Sequence, residues 1–383
     1  MNRIALSQTA VLRTLHFLSY GMQALLTSYF PIYFDDLGFS KLQIGAVYSI
    51  GPVVSIFSNL LLGLAGDRTK GLRRILQLLF LGQIAAMAGL LPQREFTAIA
   101  VLMGLYYFFQ TPIVPTMDSL TLLAAAQMKR SYAAIRMFGS LGFAATGVIV
   151  GYLINRTGSV LSLYLGIAMI TTALVCSMAL VNMQASLRKF DFGGLLAILK
   201  RRDTILFFAL IALISVAHRM VEGFLSVSLR EAGADDSLIG YAWLGSSISE
   251  IPMFFALAKY GHRFRELPLL AVAATFYFIR LGLVSLLHDP RAMVATQLMH
   301  SVTFGIYYIT SLRYLQQLLP DEYRASGQAL FTIVWSGFGG LGAGALGGLL
   351  FDAYGYEAPF RLGALFGLAA AAGFLYAHFR RAA

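Results

Sequence analysis

The chain has 383 residues, of which 58% are hydrophobic and only 12% are charged, and its formal net charge is +11. Because soluble globular domains carry about 25% charged residues, this composition argues against a soluble enzyme, a disordered protein and a nucleic-acid binder. The single cysteine, Cys176, excludes an internal disulfide and a cysteine-based metal site. The sequence therefore predicts an all-α integral membrane protein.

Twelve apolar windows are long enough to cross a bilayer, which requires about 20 mostly apolar residues. They lie at 9–34, 42–64, 74–92, 97–120, 133–154, 160–182, 204–229, 238–258, 267–287, 292–312, 325–350 and 359–379, and are numbered spans 1 to 12. The N-terminus has no signal-peptide cleavage site, so we expect span 1 to be retained. The basic stretch 184–203 is predicted to be a cytoplasmic central loop between a first six-helix bundle, 1–183, and a second, 204–383.

The distribution of basic residues predicts the orientation of these spans. With both termini and the central loop in the cytoplasm, the cytoplasmic segments hold 20 of the 29 Lys and Arg residues, and the outer segments hold six. Short cytoplasmic loops of membrane proteins are enriched in Lys and Arg. We therefore expect a multi-pass plasma-membrane protein with both termini cytoplasmic, whose excess positive charge serves topology.

Short motifs recur in the same order in the two predicted bundles. Residues 37–45, entering span 2, parallel 232–240, entering span 8, and residues 104–107 in span 4 parallel 305–308 in span 10. The glycines at 147 and 151 in span 5 likewise match those at 344 and 348 in span 11. Duplicated six-span halves carry a substrate site near the bilayer midplane. The alternative is that glycines simply recur in packed membrane helices.

A glycine-containing basic segment connects spans 2 and 3. Its distinctive residues are Gly63, Asp67, Arg68, Gly71, Arg73 and Arg74. This segment resembles the signature of the major facilitator superfamily, with one extra residue between Arg68 and Gly71. The resemblance implies twelve transmembrane helices in two pseudo-symmetric bundles, the major facilitator fold. It also implies a conformational switch loop in which Asp67 caps the next helix or pairs with a basic residue. An ordinary basic loop is the alternative.

A narrower resemblance lies at residues 132–143, at the start of span 5. This segment resembles span 5 of the lactose-permease and phenylpropionate-permease branch of the superfamily. The resemblance implies a proton symporter of small organic solutes.

Ionisable side chains within the spans are candidates for function, because each costs roughly 2.5–3.5 kcal/mol to insert at a helix centre. Away from the loops and the span ends that border them, the sequence has three acids, three arginines and three histidines: Asp118, Glu222, Glu250, Arg136, Arg219, Arg280, His16, His218 and His300. Equal numbers of acids and arginines predict that these groups pair, because unpaired buried charges are costly.

Asp118 and Arg136 are each nine residues from a predicted turn near Gln127, so they lie at similar depths on neighbouring antiparallel spans. The resemblance to the lactose permease implies that Asp118 accepts hydrogen bonds from substrate hydroxyls and that Arg136 is a bidentate donor. Phe143 stands where that family has a tryptophan on which the sugar stacks. A structural ion pair between the two spans is the alternative. Polar residues on spans 1 and 4, Tyr20 and Gln110, are also predicted to bind substrate, with helix packing as their alternative role.

In span 8, Trp243 and Glu250 lie on one polar-aromatic face and are further candidates for substrate binding. Arg280 and His300 are 20 residues apart, as are two proton-coupling groups in the lactose permease. The carboxylate that this resemblance predicts one turn after the histidine is Thr303, which cannot carry a proton at physiological pH.

Glu250 and Glu222 therefore remain the candidate proton carriers, alongside Arg280 and His300 in proton coupling. Glu222 follows His218 by four residues and Arg219 by three, so an intrahelical ion pair favours a structural role for this carboxylate. For His300, a hydrogen bond between helices is the alternative to proton transfer.

The sequence contains no phosphate-binding loop, zinc-protease motif or nucleophile elbow, so we expect neither an enzyme nor a cofactor or metal. It predicts a monomeric secondary transporter in the lipid bilayer that moves a small organic solute with protons by alternating access. A sugar or glycoside is the first substrate class, and an aromatic acid or nucleoside the next. The alternatives are proton-driven efflux of sugars or drugs and, less favoured, a transporter-like membrane sensor.

Overall fold

The computed structural model describes residues 2–69, 71–128, 132–181, 201–318, 327 and 330–382. Within these ranges every regular element is helical and no β-strand occurs. Each of the twelve predicted windows coincides there with one helix or with helical segments in series. The expectation of an all-α protein is therefore confirmed.

The first six spans are formed by eight α-helices. Span 1 consists of α1, Asn2–Ala24, a π-helical segment, Leu25–Tyr29, and α2, Phe30–Asp36. The following spans are α3, Lys41–Thr69; α4, Leu72–Leu90; the pair α5, Phe96–Gln110, and α6, Ile113–Met128; α7, Tyr132–Thr157; and α8, Leu161–Ser177.

The last six spans begin with α9, Arg202–Glu231, α10, Asp236–Tyr260, and α11, Glu266–Leu286. Span 10 runs through α12, Pro290–Ala295, a 3₁₀ segment, Thr296–Met299, a π-helical segment, Ser301–Gly305, and α13, Ile306–Leu318. Span 11 contains a π-helical segment, Ile333–Phe338, followed by α14, Gly339–Tyr354, and span 12 is α15, Glu357–Ala382.

Six helical stretches among the described residues are long and apolar enough to cross a membrane. They are Phe96–Ala125, Ala134–Thr157, Arg202–Glu231, Glu266–Leu286, Leu330–Tyr354 and Glu357–Arg380. Large apolar side chains such as Phe255 and Phe379 are exposed on the helix surfaces. Since a helix satisfies its own backbone hydrogen bonds, such surfaces suit contact with lipid.

Spans 1, 4, 10 and 11 are interrupted near the polar residues discussed below. Pro31 follows the π-helical segment of span 1, and Pro112 lies in the turn between α5 and α6. Proline lacks a backbone N–H and its ring displaces the carbonyl four residues earlier, which explains the breaks at these two points. Spans 10 and 11 have no proline at their π-helical segments. Such segments occur frequently at functional sites.

Glycines with positive φ terminate helices at matching positions in the two predicted bundles. Gly38 after span 1 has φ 83° and Gly233 after span 7 has φ 91°, while Gly158 after span 5 has φ 90° and Gly355 after span 11 has φ 83°. Residues with a Cβ atom rarely adopt this conformation, so glycine is the usual residue after a helix end of this kind. These paired turns accord with the sequence repeat.

Contacts between Cα atoms divide the chain into two compact units. The first is Met1–Phe39 with Val53–Arg188, and the second is Ser40–Pro52 with Lys189–Ala383. The start of α3 is grouped with the second unit, where the backbone N–H groups of Lys41 and Leu42 each donate to the Asp352 carboxylate at 2.8 Å. Most of the predicted central loop, 184–200, lies outside the described residues, so its boundaries remain predictions.

In the first unit, α1 and α7 pack closely because glycines replace side chains between them. A Cβ atom on Gly142 would lie 2.7 Å from Cα of Phe17, and one on Gly139 would lie 2.7 Å from the Tyr20 ring. Small residues allow membrane helices to approach in this way. The close approach brings Tyr20 of α1 against Arg136 of α7.

Candidate functional site

Asp118 and Arg136 form an ion pair in the first unit. Arg136 Nε lies 3.6 Å from Asp118 Oδ1. The side chain of Arg136 is 28% exposed and that of Asp118 is 30% exposed. The guanidinium donates a hydrogen bond to the Tyr20 hydroxyl, and its Cζ lies 3.9 Å from the centroid of the Tyr20 ring. Asp118 Oδ1 is buried and accepts no hydrogen bond from the described residues. The pair is therefore held by charge, because the 3.6 Å between Arg136 Nε and Asp118 Oδ1 is too long for a hydrogen bond.

The same face of span 1 contacts two further helices. His16 Nε2 lies 2.9 Å from Thr121 Oγ1 on α6, and Gln110 at the end of α5 donates to Gln23 Oε1 at 2.6 Å. The predicted residue Gln110 is thus engaged by a span 1 amide. Phe143 is half-buried on α7, seven residues after Arg136.

Arg280 is the centre of a polar network in the second unit. It is 1% exposed and donates to three neutral acceptors: His300 Nδ1 at 2.9 Å, Thr303 Oγ1 at 3.1 Å and Gln297 Oε1. Among the described residues no carboxylate lies within ion-pairing distance of Arg280. All three acceptors belong to the 3₁₀ and π-helical region of span 10. The irregular backbone of this span therefore surrounds a buried arginine.

Glu250 of α10 reaches the same network through His300. Its Oε1 lies 2.8 Å from His300 Nε2, and its side chain is 22% exposed. Thr303, which stands where the family resemblance predicts a carboxylate, instead accepts a hydrogen bond from Arg280. The imidazole of His300 thus separates the negative charge of Glu250 from the positive charge of Arg280.

A second charged cluster lies on α9. Arg219 Nη1 is 2.5 Å from Glu222 Oε2, and His218 Nε2 is 3.5 Å from Glu222 Oε1, so Glu222 has both intrahelical partners that its spacing predicts. His218 Nδ1 lies 3.0 Å from the hydroxyl of Tyr277 on α11. Arg219 also donates to Ser336 in span 11 at 3.2 Å. This cluster connects α9 to spans 9 and 11.

Aromatic rings join the two polar groups of the second unit. The centroid of the His218 ring lies 5.5 Å from that of His300, 5.0 Å from that of Phe304 and 4.9 Å from that of Trp335. Phe304 also stacks on His300 at 5.2 Å. The structure therefore brings Glu222, Arg280, His300 and Glu250 into one connected cluster.

Trp243 lies on α10, seven residues before Glu250. The buried indole N–H of Trp243 donates to Ser226 Oγ of α9 at 3.1 Å. This hydrogen bond joins α9 to α10. The contact favours a packing role for Trp243, while its role in substrate binding remains a prediction.

The predicted switch loop is described only in its second half. Gly63, Asp67 and Arg68 fall on a stretch of α3 whose side chains lie outside the described part of the chain. Gly71 immediately precedes α4, and its carbonyl accepts the N–H of Arg74 at 3.1 Å. Arg73 donates to the carbonyl of Leu180 at 3.0 Å, and the Arg74 side chain is exposed. Arg73 thus ties this loop to the end of span 6.

Sequence reasoning did not single out several partners in these networks: Thr121, Gln297, Ser336 and Trp335. Gln297 could have been found, because it precedes His300 by three residues and so lies on the same helix face. Trp335 is one of only two tryptophans in the chain. Thr121 and Ser336 are short hydroxyl side chains of a type that is common in membrane helices, and nothing in their spacing distinguishes them.

Comparison with known proteins gives a consistent result. A sequence model of the MFS_1 like family matches residues 10–362. Maltose permease of Geobacillus stearothermophilus is 29% identical over 332 residues, which cover 83% of this chain and 81% of the relative. A protein described as "Probable 3-phenylpropionic acid transporter" of Escherichia coli (strain K12) is 23% identical over 304 residues, covering 78% of this chain and 79% of the relative.

Solved structures also resemble this chain. The crystal structure of the nucleoside transporter NupG superposes with a TM-score of 0.88 at 17% sequence identity, and the match covers 97% of this chain and 99% of the other. At that level of identity the likeness shows a common fold, so the expectation of the major facilitator fold is confirmed.

Proposed function

Because the chain belongs to the MFS_1 like family of transporters, we propose that it is a proton-coupled symporter that moves a small organic solute by alternating access. The family match confirms the resemblance to the major facilitator superfamily, and the chain is a multi-pass membrane transporter of small solutes rather than an enzyme. Coupling to protons, the direction of transport and the substrate class are the proposed parts.

The substrate site is proposed at Asp118 and Arg136, and one observation carries this assignment. Within the described part of the chain, Asp118 Oδ1 accepts no hydrogen bond, although it is buried and lies 3.6 Å from Arg136 Nε, whereas a buried carboxylate oxygen normally accepts hydrogen bonds. A solute hydroxyl could donate to this oxygen, and the partly exposed guanidinium of Arg136 can bind an oxygen of the same solute. Tyr20, Gln110 and Phe143 complete the proposed site.

A sugar or glycoside is the first substrate class, because its hydroxyls suit an acid and an arginine side by side. Nucleosides and aromatic acids follow, because each also offers an oxygen and a ring. The relatives' own names span these three classes: maltose, nucleosides and 3-phenylpropionic acid.

Proton coupling is proposed for the polar network of the second unit. Glu250 is partly exposed and bonded to His300, which in turn bonds the buried Arg280. Membrane-embedded acids linked to histidine and arginine are typical of proton relays. Glu222, paired with Arg219 and His218, is the second carboxylate available to such a relay.

The orientation follows from charge. We infer a plasma-membrane protein with both termini in the cytoplasm, supported by the 20 Lys and Arg residues in the predicted cytoplasmic segments against six outside. A monomer in the bilayer suffices for this mechanism, since both polar sites are built from one chain.

A thermal-shift measurement tests the substrate site. Purified protein is heated with maltose, uridine or 3-phenylpropionate. A solute that binds only the folded state, present at a concentration 100 times its Kd, adds about 2.7 kcal/mol to the free energy of unfolding. We expect one of these solutes to raise the Tm of the wild type, and Arg136→Ala and Asp118→Asn to abolish the rise. The control is Arg156→Ala, which removes an exposed arginine of the same helix and should keep the shift. A full shift in Arg136→Ala would make the pair a structural ion pair.

Transport in proteoliposomes tests the coupling. With a pH-sensitive dye inside the vesicles, inward movement of solute down its own gradient should acidify the lumen in a symporter. Alkalinisation of the lumen would support the efflux antiporter. Binding of solute without any transport would support the membrane sensor.

A further inference from the structure

Two carboxylate–imidazole pairs in the second unit lie ring against ring. Glu250 contacts His300 at 2.8 Å, and Glu222 contacts His218 at 3.5 Å. The two imidazole rings stack with centroids 5.5 Å apart and an angle of 27° between their planes. Two positive charges at this separation repel strongly in a low-dielectric interior, so the stacked rings can hold only one extra proton between them.

Hydrogen bonds fix the tautomer of His300. Its Nδ1 lies 2.9 Å from Arg280 Nη1, and a guanidinium can only donate, so Nδ1 must be the unprotonated acceptor. Its Nε2 therefore carries the hydrogen and donates it to Glu250. A second proton on His300 would have to enter at Nδ1. It would break the hydrogen bond from Arg280 and leave two cations facing each other.

His218 is not restricted in this way. Its Nδ1 faces the hydroxyl of Tyr277, which can either donate or accept, and its Nε2 faces the Glu222 carboxylate. After protonation both ring N–H groups would have an acceptor. The added charge would lie directly beside a carboxylate.

The other charged groups around His218 do not reverse this difference between His218, which can accept a second proton, and His300, which cannot. Arg219 on its own helix is held by Glu222 at 2.5 Å and by Ser336. Arg280 on α11 is occupied by its three neutral acceptors on span 10, one of which is His300. From span 11 the group that packs on His218 is the uncharged Trp335. Of the two stacked imidazoles, His218 is thus the one with a carboxylate at one nitrogen and, at the other, a hydroxyl that can either donate or accept.

We propose that His218, between Glu222 and Tyr277, is the group that takes up the coupled proton, while His300 stays neutral and holds Arg280. A hydronium ion gives its proton to Nδ1 of His218, so that one O–H bond breaks, one N–H bond forms and a water molecule is left. Tyr277, whose hydroxyl donated to this nitrogen, rotates to become the acceptor of the new N–H. This inference rests on the proposed proton coupling, and it assigns to span 7 a role that the family resemblance gives to span 10.

Nitrogen-15 NMR of histidine-labelled protein in nanodiscs tests the proposal without any solute. The chain has six histidines, so single variants can assign their signals. Spectra of the wild type, His218→Gln and His300→Gln are compared between about pH 8 and pH 5, where histidines titrate. His288→Gln is the control, since His288 forms an exposed carboxylate–imidazole pair with Glu357 at 3.2 Å.

We expect an imidazolium signal, distinct from that of His288, which is missing in His218→Gln and present in His300→Gln. Tyr277→Phe, which keeps the ring but removes the acceptor, should weaken that signal at the same pH. The proposal is overturned if His300 Nδ1 takes the proton instead, or if both stacked rings stay neutral throughout the range.

Transport separates this proposal from the proposed function. In dye-loaded proteoliposomes with maltose, uridine or 3-phenylpropionate, His218→Gln should retain solute counterflow but lose at least tenfold in proton movement. Proton movement that persists in His218→Gln overturns the assignment. If the wild type moves none of the three solutes with protons while the His218 imidazolium forms, the proposed symport with these solutes fails and the proton site stands.

Discussion

In the first unit the charged site consists of one acid and one arginine whose side chains are about 30% exposed, whereas in the second unit Arg280 is 1% exposed and bonded to three neutral side chains. Asp118 meets its arginine directly, and Glu250 meets Arg280 only through an imidazole. In the first pair, Asp118 Oδ1 faces Arg136 without accepting a hydrogen bond from any described residue. In the second network, three neutral acceptors on span 10 surround the buried guanidinium of Arg280.

This difference shows how the same kinds of residue serve two purposes. A partly exposed ion pair contributes little to stability, because water competes for both groups. It is therefore free to exchange its partners for a solute. A fully buried arginine is expensive to desolvate and must keep every acceptor it has. The second network is therefore part of the folded structure as well as of the proposed coupling.

Replacing Arg280 with Ala should have the largest effect. It removes the donor of three buried hydrogen bonds and leaves Gln297 Oε1 and His300 Nδ1 without that donor, at a cost of about 4 kcal/mol. Thermal unfolding in detergent measures this loss. Arg136→Ala is the matched variant and should cost about 1 kcal/mol or less, because its ion pair is partly exposed. Equal losses in Tm for the two variants would contradict the comparison.

An intermediate effect is expected from Gly142→Ala. The new Cβ atom would meet the backbone of Phe17, so α1 and α7 must separate, at a cost of about 2 kcal/mol. The separation also moves Tyr20 away from Arg136, so the affinity for solute should fall together with the free energy of unfolding. Gly223→Ala is the control, because a Cβ atom there has no neighbour within 4 Å. In that variant alanine should be neutral or stabilise the helix by up to about 1 kcal/mol.

The smallest effect is expected from Tyr20→Phe. The change removes the hydroxyl that accepts from Arg136 but keeps the ring on which the guanidinium stacks, so the cost should be about 0.5 kcal/mol. Tyr152→Phe is the matched control, since Tyr152 stacks with Arg156 on an exposed part of α7. Thermal unfolding should show a larger loss of Tm in Tyr20→Phe than in Tyr152→Phe. A loss in Tyr152→Phe that equals or exceeds that in Tyr20→Phe would show that the hydroxyl of Tyr20 does not contribute.

Most of the fold could be predicted from sequence, because apolar windows of bilayer length and the asymmetry of basic residues are strong signals. The interruptions were harder to predict. Pro31 and Pro112 mark two of them, but the π-helical segments Ser301–Gly305 and Ile333–Phe338 contain no proline. Without a proline, these two segments carry no strong local signal for an interruption.

The candidate sites were predictable where two residues share a helix or a short hairpin. Counting residues from one turn places Asp118 opposite Arg136, and i, i+3 and i, i+4 spacing predicts the partners of Glu222. The contact between Glu250 and His300 joins spans 8 and 10. The stack of His218 on His300 joins spans 7 and 10. Contacts between helices far apart in sequence depend on tertiary packing, and single-sequence spacing cannot supply them.

The position of Trp335 has an optical consequence. Both tryptophans of the chain, Trp243 and Trp335, belong to the second unit, so indole fluorescence reports on that unit alone. Trp335 packs against His218 at 4.9 Å between ring centroids and also lies near Arg219. A charge that appears on the imidazole would change the emission of the adjacent indole. The protein thus contains a built-in fluorophore beside the group proposed to gain the proton, and it needs no added label to follow that event in time.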